Sequence, residues 1–188
     1  MTRDVAVLVG SLRKASLNRK LAMAMIALAP PTMTPEIVEI GELPLYDEDL
    51  ETALPPAWID FRGRVARADG VLFVTPEYNR SVPGVLKNAI DVGSRPYGKS
   101  VWSRKPAAVI SASPGAIGGF GANHHLRQSL VFLDMPAMQQ PEAYIGGAHR
   151  LFDDQGRVTP EDTRTFLGKF MESFDAWIDL NARAKAPA

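Results

Sequence analysis

The sequence predicts an α/β chain in which helices cover both faces of a parallel sheet. Three observations carry this. Residues 5–9, 71–75 and 107–111 are almost continuously apolar, as strands covered on both faces must be. Stretches with apolar residues at helical spacing separate them, so strand and helix alternate along the chain. The 188 residues are 46 % hydrophobic, enough for one sizeable core without a disulfide or metal staple. One domain over residues 1–182 and a flexible tail at 183–188 are expected.

The elements follow in order. Residues 5–9 (Val-Ala-Val-Leu-Val) form the first strand, ended by Gly10-Ser11. Leu17, Leu21, Met25 and Leu28 then lie on one helical stripe. Residues 36–40 (Glu-Ile-Val-Glu-Ile) alternate, as a strand nearer an edge does. Trp58, Phe61, Val65 and Ala68 make a second stripe, opened by Pro55-Pro56 and closed by Gly70. After strand 71–75, the helix beyond Pro83 carries Val85, Leu86, Ala89 and Ile90. After strand 107–111, Leu126, Leu130 and Leu133 mark a fourth helix, and residues 136–140 are the candidate fifth strand. The last helix opens at Thr159-Pro160-Glu161-Asp162, a capping residue, a proline and two early acids. It buries Phe166, Phe170, Phe174 and Trp177.

Composition removes several classes of function. Lys plus Arg and Asp plus Glu number 21 each, so the formal net charge is zero. A dedicated nucleic-acid binder carries a basic excess or patch, so no nucleic-acid partner is expected. The chain has no cysteine. That excludes disulfides, thiol nucleophiles, iron–sulfur clusters and cysteine-ligated zinc, and fits a cytoplasmic location. The longest apolar stretch, residues 21–31, ends in two prolines and falls far short of the ~20 residues of a membrane span. No membrane insertion is expected.

In a doubly wound sheet, ligands bind where loops leave the C-terminal ends of the strands. The first such loop, residues 10–18, opens a helix whose free N–H groups favour an anion. Ser11, Ser16 and Asn18 add neutral donors, and Arg13 adds a fork suited to phosphate. The same residues also suit a plain serine-rich helix cap with a solvated arginine. The Gly-Lys-Ser/Thr of a P-loop and the Gly-x-Gly-x-x-Gly of a dinucleotide site are both missing. Residues 75–84 form a long connection in which Pro76 and Pro83 fix φ. Such a loop can present main-chain groups to a flat heterocycle, or be an ordinary strand-to-helix turn. Residues 111–121 hold four glycines, which suit close approach to a ring or phosphate, or a flexible connection.

Other features look chemical and carry little. His124 and His125 are adjacent on a helix and cannot share a metal, and His149 is distant; no metal site is expected. Asp153-Asp154-Gln155-Gly156 reads as a turn, and Met23, Met25 and Met171 as core filler. The Gly-x-Ser-x-Gly of a serine hydrolase does not occur. The third strand ends in Thr-Pro-Glu where a response regulator would need Asp.

Gly-Ser-x-Arg-x-x-Ser-x-Asn over residues 10–18 is followed by Pro-Glu-Tyr-Asn-x-Ser-x-Pro-Gly-x-x-Lys-Asn-x-x-Asp over residues 76–91. Together they resemble the NADPH-dependent FMN reductase family, and the resemblance extends over most of the chain. It implies a flavodoxin-like, five-stranded sheet of order 2-1-3-4-5. It also implies bound FMN, NADPH or NADH as electron donor, and a homodimer or dimer of dimers. The acceptor would be a small molecule: a quinone, azo or nitro compound, chromate or free flavin. The family's phosphate-loop residues fall on Ser11, Arg13, Ser16, Leu17 and Asn18, and its flavin-ring loop on Pro76, Glu77, Tyr78 and Asn79. In the glycine-rich loop Ser113 and Gly115 match best. Lys87, Asn88 and Asp91 match the pattern but are given no ligand role. No side chain is expected to be catalytic, because FMN carries the chemistry and passes a hydride in ping-pong fashion. The alternative is a flavodoxin-type electron carrier that binds FMN and needs a partner reductase. The neutral charge balance weighs against it, since such carriers dock through a field of one sign.

Overall fold

A computed structural model of the chain describes residues 2–183. The three apolar runs are its central strands: β1 (Arg3–Val9), β3 (Gly70–Thr75) and β4 (Ala107–Ala112). Their side chains alternate between two cores. Val5, Val7, Val9, Leu72, Val74 and Ile110 join one; Ala6, Leu8, Val71, Phe73 and Val109 join the other. Helices α1 (Leu17–Ala27) and α5 (Glu161–Arg183) cover the first face with Leu21, Met25, Phe170 and Phe174. Helices α2 (Pro56–Arg67), α3 (Gly84–Gly93) and α4 (Phe120–Phe132) cover the second with Trp58, Phe61, Leu86 and Leu126. With β2 (Met33–Ile37) and β5 (Tyr144–Ile145), the strands form a parallel sheet of order β2-β1-β3-β4-β5. This is the expected flavodoxin-like order. Its reversal point lies between β1 and β3, so the loops that leave these two strands diverge and open a crevice.

Both edge strands differ from the sequence reading. β2 starts at Met33, before the expected residues 36–40, and includes Pro35 opposite Val5. An edge strand tolerates proline because only one of its sides must hydrogen-bond. Residues 38–40 run on beyond the strand, where Val38 N–H donates to the Val7 carbonyl (3.0 Å) and Val38 and Ile40 are buried. Their apolarity marked burial, not the ladder. The fifth strand is not residues 136–140. That segment touches β4 at a single bridge, Ala107 to Ala137. Pro141, which has no N–H, follows, and pairing resumes at Ser111 with Tyr144. Gly70 opens β3 and does not close α2, which ends at Arg67. Arg183, the first residue of the expected tail, ends α5, and residues 184–188 lie outside the described residues.

Trp102 is a core anchor without a pattern around it. It is fully buried, its indole N–H donates to the Ile90 carbonyl (2.9 Å), and its ring packs against Phe61 and Phe73. Trp102→Ala should lower unfolding free energy by about 3–5 kcal/mol in urea denaturation. Trp102→Phe, which fills most of the space, should cost less than half of that.

Candidate functional site

Three loops rise from the C-terminal ends of β1, β3 and β4. The first is shaped by its own hydrogen bonds. Gly10 N–H donates to the Val74 carbonyl (2.9 Å), which holds the loop on β3 as it leaves β1. Ser16 N–H donates to the Arg13 carbonyl (3.0 Å), and the Ser16 hydroxyl caps α1 by accepting from Arg19 N–H (3.1 Å). Ser16 and Asn18 are buried, Ser11 and Leu17 are half-buried, and Arg13 is exposed. Asn18 reaches across the sheet: its Nδ2 donates to the Ala112 carbonyl at the end of β4 (3.1 Å). Its Oδ1 is buried and has no hydrogen-bond partner among the described residues.

The second loop is a braced turn. Tyr78 and Ser81 exchange two main-chain hydrogen bonds (3.1 and 3.0 Å), with Asn79 at φ 52° and Arg80 at φ 63° between them. Positive φ at both central residues defines a type I′ turn, an uncommon conformation for arginine. Glu77 holds it in place. One carboxylate oxygen accepts from Ala122 N–H in the first turn of α4 (3.1 Å), and the other pairs with Arg80 (3.2 Å). This anion on a helix N-terminus joins the loop after β3 to the helix after β4. Gly121 permits the approach, since a Cβ there would lie 2.9 Å from the Glu77 carboxylate. Ser81 Oγ also meets His125 Nδ1 at 2.8 Å. Pro76 is buried, while Tyr78 and Asn79 face outward and the Tyr78 side chain is free to meet a ligand.

The third loop is pinned to the sheet edge. Ser113 N–H donates to the Ile145 carbonyl (3.1 Å), and Ala148 N–H donates to the Ser113 carbonyl (3.0 Å). The glycines here divide into two kinds. A Cβ on Gly118 would run into the Tyr144 main chain, and one on Gly119 would crowd Ser111. Those two serve the protein's own packing. Gly115 is exposed, and a Cβ there would meet only Ser113 Oγ, at 3.7 Å. The open part of this loop is therefore Ser113 to Gly115.

Several residues near the site have partners that the sequence did not show. Asn123 is fully buried, accepts from Arg127 Nε (2.9 Å) and lies 3.4 Å from Ser111 Oγ. Phe120, His124 and Tyr144 form an aromatic cluster beside the third loop, with His124 Nε2 2.8 Å from the Tyr144 hydroxyl. Burial, with a smaller contribution from Glu142, pushes the Tyr144 phenol up to about 12. Lys87 and Asp91 pair with each other on the surface of α3. Asn88 is buried and binds the main chain at Leu43, Pro44 and Tyr46, a packing role. His124 and His125 take separate partners, and no group of three metal-ligating side chains occurs among the described residues.

The arrangement fits flavin mononucleotide. The start of α1 and Arg13 offer donors and positive charge to a phosphate. The orphaned Asn18 Oδ1 is an acceptor suited to a sugar-alcohol hydroxyl. The outward-facing segments at Tyr78–Asn79 and Ser113–Gly115 suit the edges of a planar ring. A flavodoxin-like sheet with these three loops has the architecture of a mononucleotide-binding flavoprotein.

Residues 3–150 match the NADPH-dependent FMN reductase family, and the chain belongs to it. It is 66 % identical over 179 residues to a quinone reductase of Pseudomonas putida, across 95 % of this chain and 96 % of that one. It is 48 % identical over 178 residues to a 2-hydroxy-1,4-benzoquinone reductase of a Burkholderia species, across 95 % and 97 % of the two chains. Among solved structures, it superposes with a TM-score of 0.91 on FerB, a flavoenzyme NAD(P)H:(acceptor) oxidoreductase from Paracoccus denitrificans. That pair is 44 % identical over 96 % of this chain and 99 % of the other.

Two measurements check the geometry. Glu77→Ala should lower stability by about 1 kcal/mol, the usual worth of a helix cap, and speed hydrogen exchange at Ala122 and across residues 77–81. Alkaline titration followed by tyrosinate absorbance should give a late step near pH 12 that Tyr144→Phe removes.

Proposed function

We propose that the chain is a self-sufficient NAD(P)H-dependent reductase that holds FMN and reduces quinones or similarly electrophilic small molecules. The observation that carries the reading is the Glu77–Ala122 brace, which fixes the ring-side loop of β3 against α4 beside a phosphate-type loop on β1. The quinone acceptor rests on the relatives, whose names specify quinone substrates.

FMN, when bound, supplies a two-electron carrier that takes a hydride from the nicotinamide and passes it to the acceptor. The protein binds and orients. Main-chain N–H groups of the first turn of α1 and the Arg13 guanidinium hold the phosphate, with Ser11, Ser16 and Leu17 shaping that loop. Asn18 Oδ1, buried and without a partner among the described residues, would accept from a hydroxyl of the ribityl chain. Pro76, Glu77, Tyr78 and Asn79, with Ser113 and Gly115, would hold the ring. The Glu77 carboxylate acts here as a positioning group, since it is engaged with Ala122. The N-terminus of α3 has no side-chain cap, so its free N–H groups favour negative charge on a ligand near Pro83. No side chain needs to be a nucleophile. Assembly as a homodimer or dimer of dimers and a cytoplasmic location belong to the same proposal and follow the resemblance to the family.

Two experiments test it. The pure protein should oxidise NADPH with a quinone at steady state and give parallel double-reciprocal lines. A requirement for a second redox protein would overturn the reading. Arg13→Ala should weaken FMN binding by about 10- to 100-fold, the worth of a charge-assisted phosphate contact, measured by quenching of flavin fluorescence. Undiminished FMN affinity in that variant would remove Arg13 from the phosphate site.

A further inference from the structure

A second concave site lies on the far side of the phosphate loop, between that loop and the C-terminal end of β2. Its volume is about 310 Å³, and Leu12, Arg13, Lys14, Arg19, Glu39 and Ile40 are among its walls. No residue of the loops after β3 and β4 lines it. Val9, Ser11 and Arg13 also line it, so it adjoins the phosphate loop on the β2 side.

Its charge is uneven. Arg19 and Glu39 satisfy each other through a forked pair, Nη1 to Oε2 at 3.1 Å and Nη2 to Oε1 at 2.5 Å. Arg13 and Lys14 are exposed and make no ion pair among the described residues. Lys14 is thus the lining cation that neither the Glu39 pair nor the proposed FMN-phosphate contact engages. Leu12, 59 % exposed, adds an apolar surface at the mouth. The combination suits a phosphorylated sugar carrying a flat, weakly polar base.

The position selects the ligand. Strands lie about 4.8 Å apart, so β2 stands about 14 Å from β4, three spacings away in the order β2-β1-β3-β4. That is a span an extended dinucleotide covers. With a nicotinamide over the β3–β4 side of the site, the β2 side would lie within reach of its adenosine end. NADPH differs from NADH there by one 2′-phosphate, the group a free lysine beside an arginine recognises.

We infer that the pocket between the β1–α1 loop and β2 takes the adenosine 2′-phosphate of NADPH, with Lys14 as the residue that separates NADPH from NADH. The inference rests on the reductase reading, and Lys14 has no part in FMN binding there.

The test uses FMN-loaded protein and two nucleotide fragments, 2′,5′-ADP and 5′-ADP, in isothermal titration calorimetry. Wild type should bind 2′,5′-ADP about tenfold more tightly than 5′-ADP, as one added charge-assisted contact gives. Lys14→Glu should erase that preference, and Lys14→Arg should keep it. In turnover, Lys14→Glu should raise the KM for NADPH about tenfold, move the KM for NADH less than twofold and keep its FMN. Equal binding of the two fragments to wild type overturns the inference, as does an equal loss of both donors in Lys14→Glu. Loss of FMN from that variant also overturns it, by assigning the pocket to the flavin phosphate. If wild type turns over NADH and shows no 2′-phosphate preference, only this inference falls. If neither donor is oxidised, the reductase reading falls with it.

Discussion

A single hydrogen bond, from the Ala122 main-chain N–H to the Glu77 carboxylate, sets the geometry on which the site depends. The three site loops leave three different strands and pack on helices from both sides of the sheet. Left alone, each would move with its own helix. Glu77 fixes the second loop to the helix that follows the third, and Gly121 clears the space for that contact. Asn18 makes a matching tie, from the start of α1 to the last residue of β4. A ligand that lies across β1, β3 and β4 therefore meets a surface fixed before it arrives, and less ordering entropy opposes binding.

The same logic explains which parts of the molecule were legible in the sequence. β1, β3 and β4 are covered on both faces, so burial forced an unbroken apolar run that any reader can see. The edges carry no such constraint. β2 accommodates Pro35 because one side of it is unpaired, and β5 is two residues long, too short for a pattern. Around the site, residue types were readable but their engagements were not. Glu77 stood out within its motif, yet nothing local told that its partner would be the main chain of a helix 45 residues on. Gly115 and Gly118 look alike in sequence, and only the nearness of Tyr144 separates open glycine from packed glycine. Trp102 and Asn123 are fully buried and invisible to periodicity, because their partners are single carbonyls and rings brought by tertiary packing.

The zero net charge also gains meaning at this level. Part of the surface charge is engaged in ion pairs such as Arg3 with Asp175, Arg64 with Glu36 and Lys87 with Asp91. Each such pair is worth little to stability and leaves no long-range field. Arg13 and Lys14 stand beside a helix N-terminus and make no ion pair among the described residues. The molecule is neutral overall and positive at the place where phosphates are expected. A protein of this kind attracts a nucleotide locally without a large field of one sign for docking another protein, which agrees with a reductase that completes its own cycle.

The most direct test is an anaerobic titration of the purified, FMN-loaded protein followed by its visible spectrum. One equivalent of NADPH per flavin should bleach the absorbance, and one equivalent of a quinone should restore it with no other protein present. A flavin that NADPH leaves coloured, or that regains colour only when a second redox protein is added, would contradict the account.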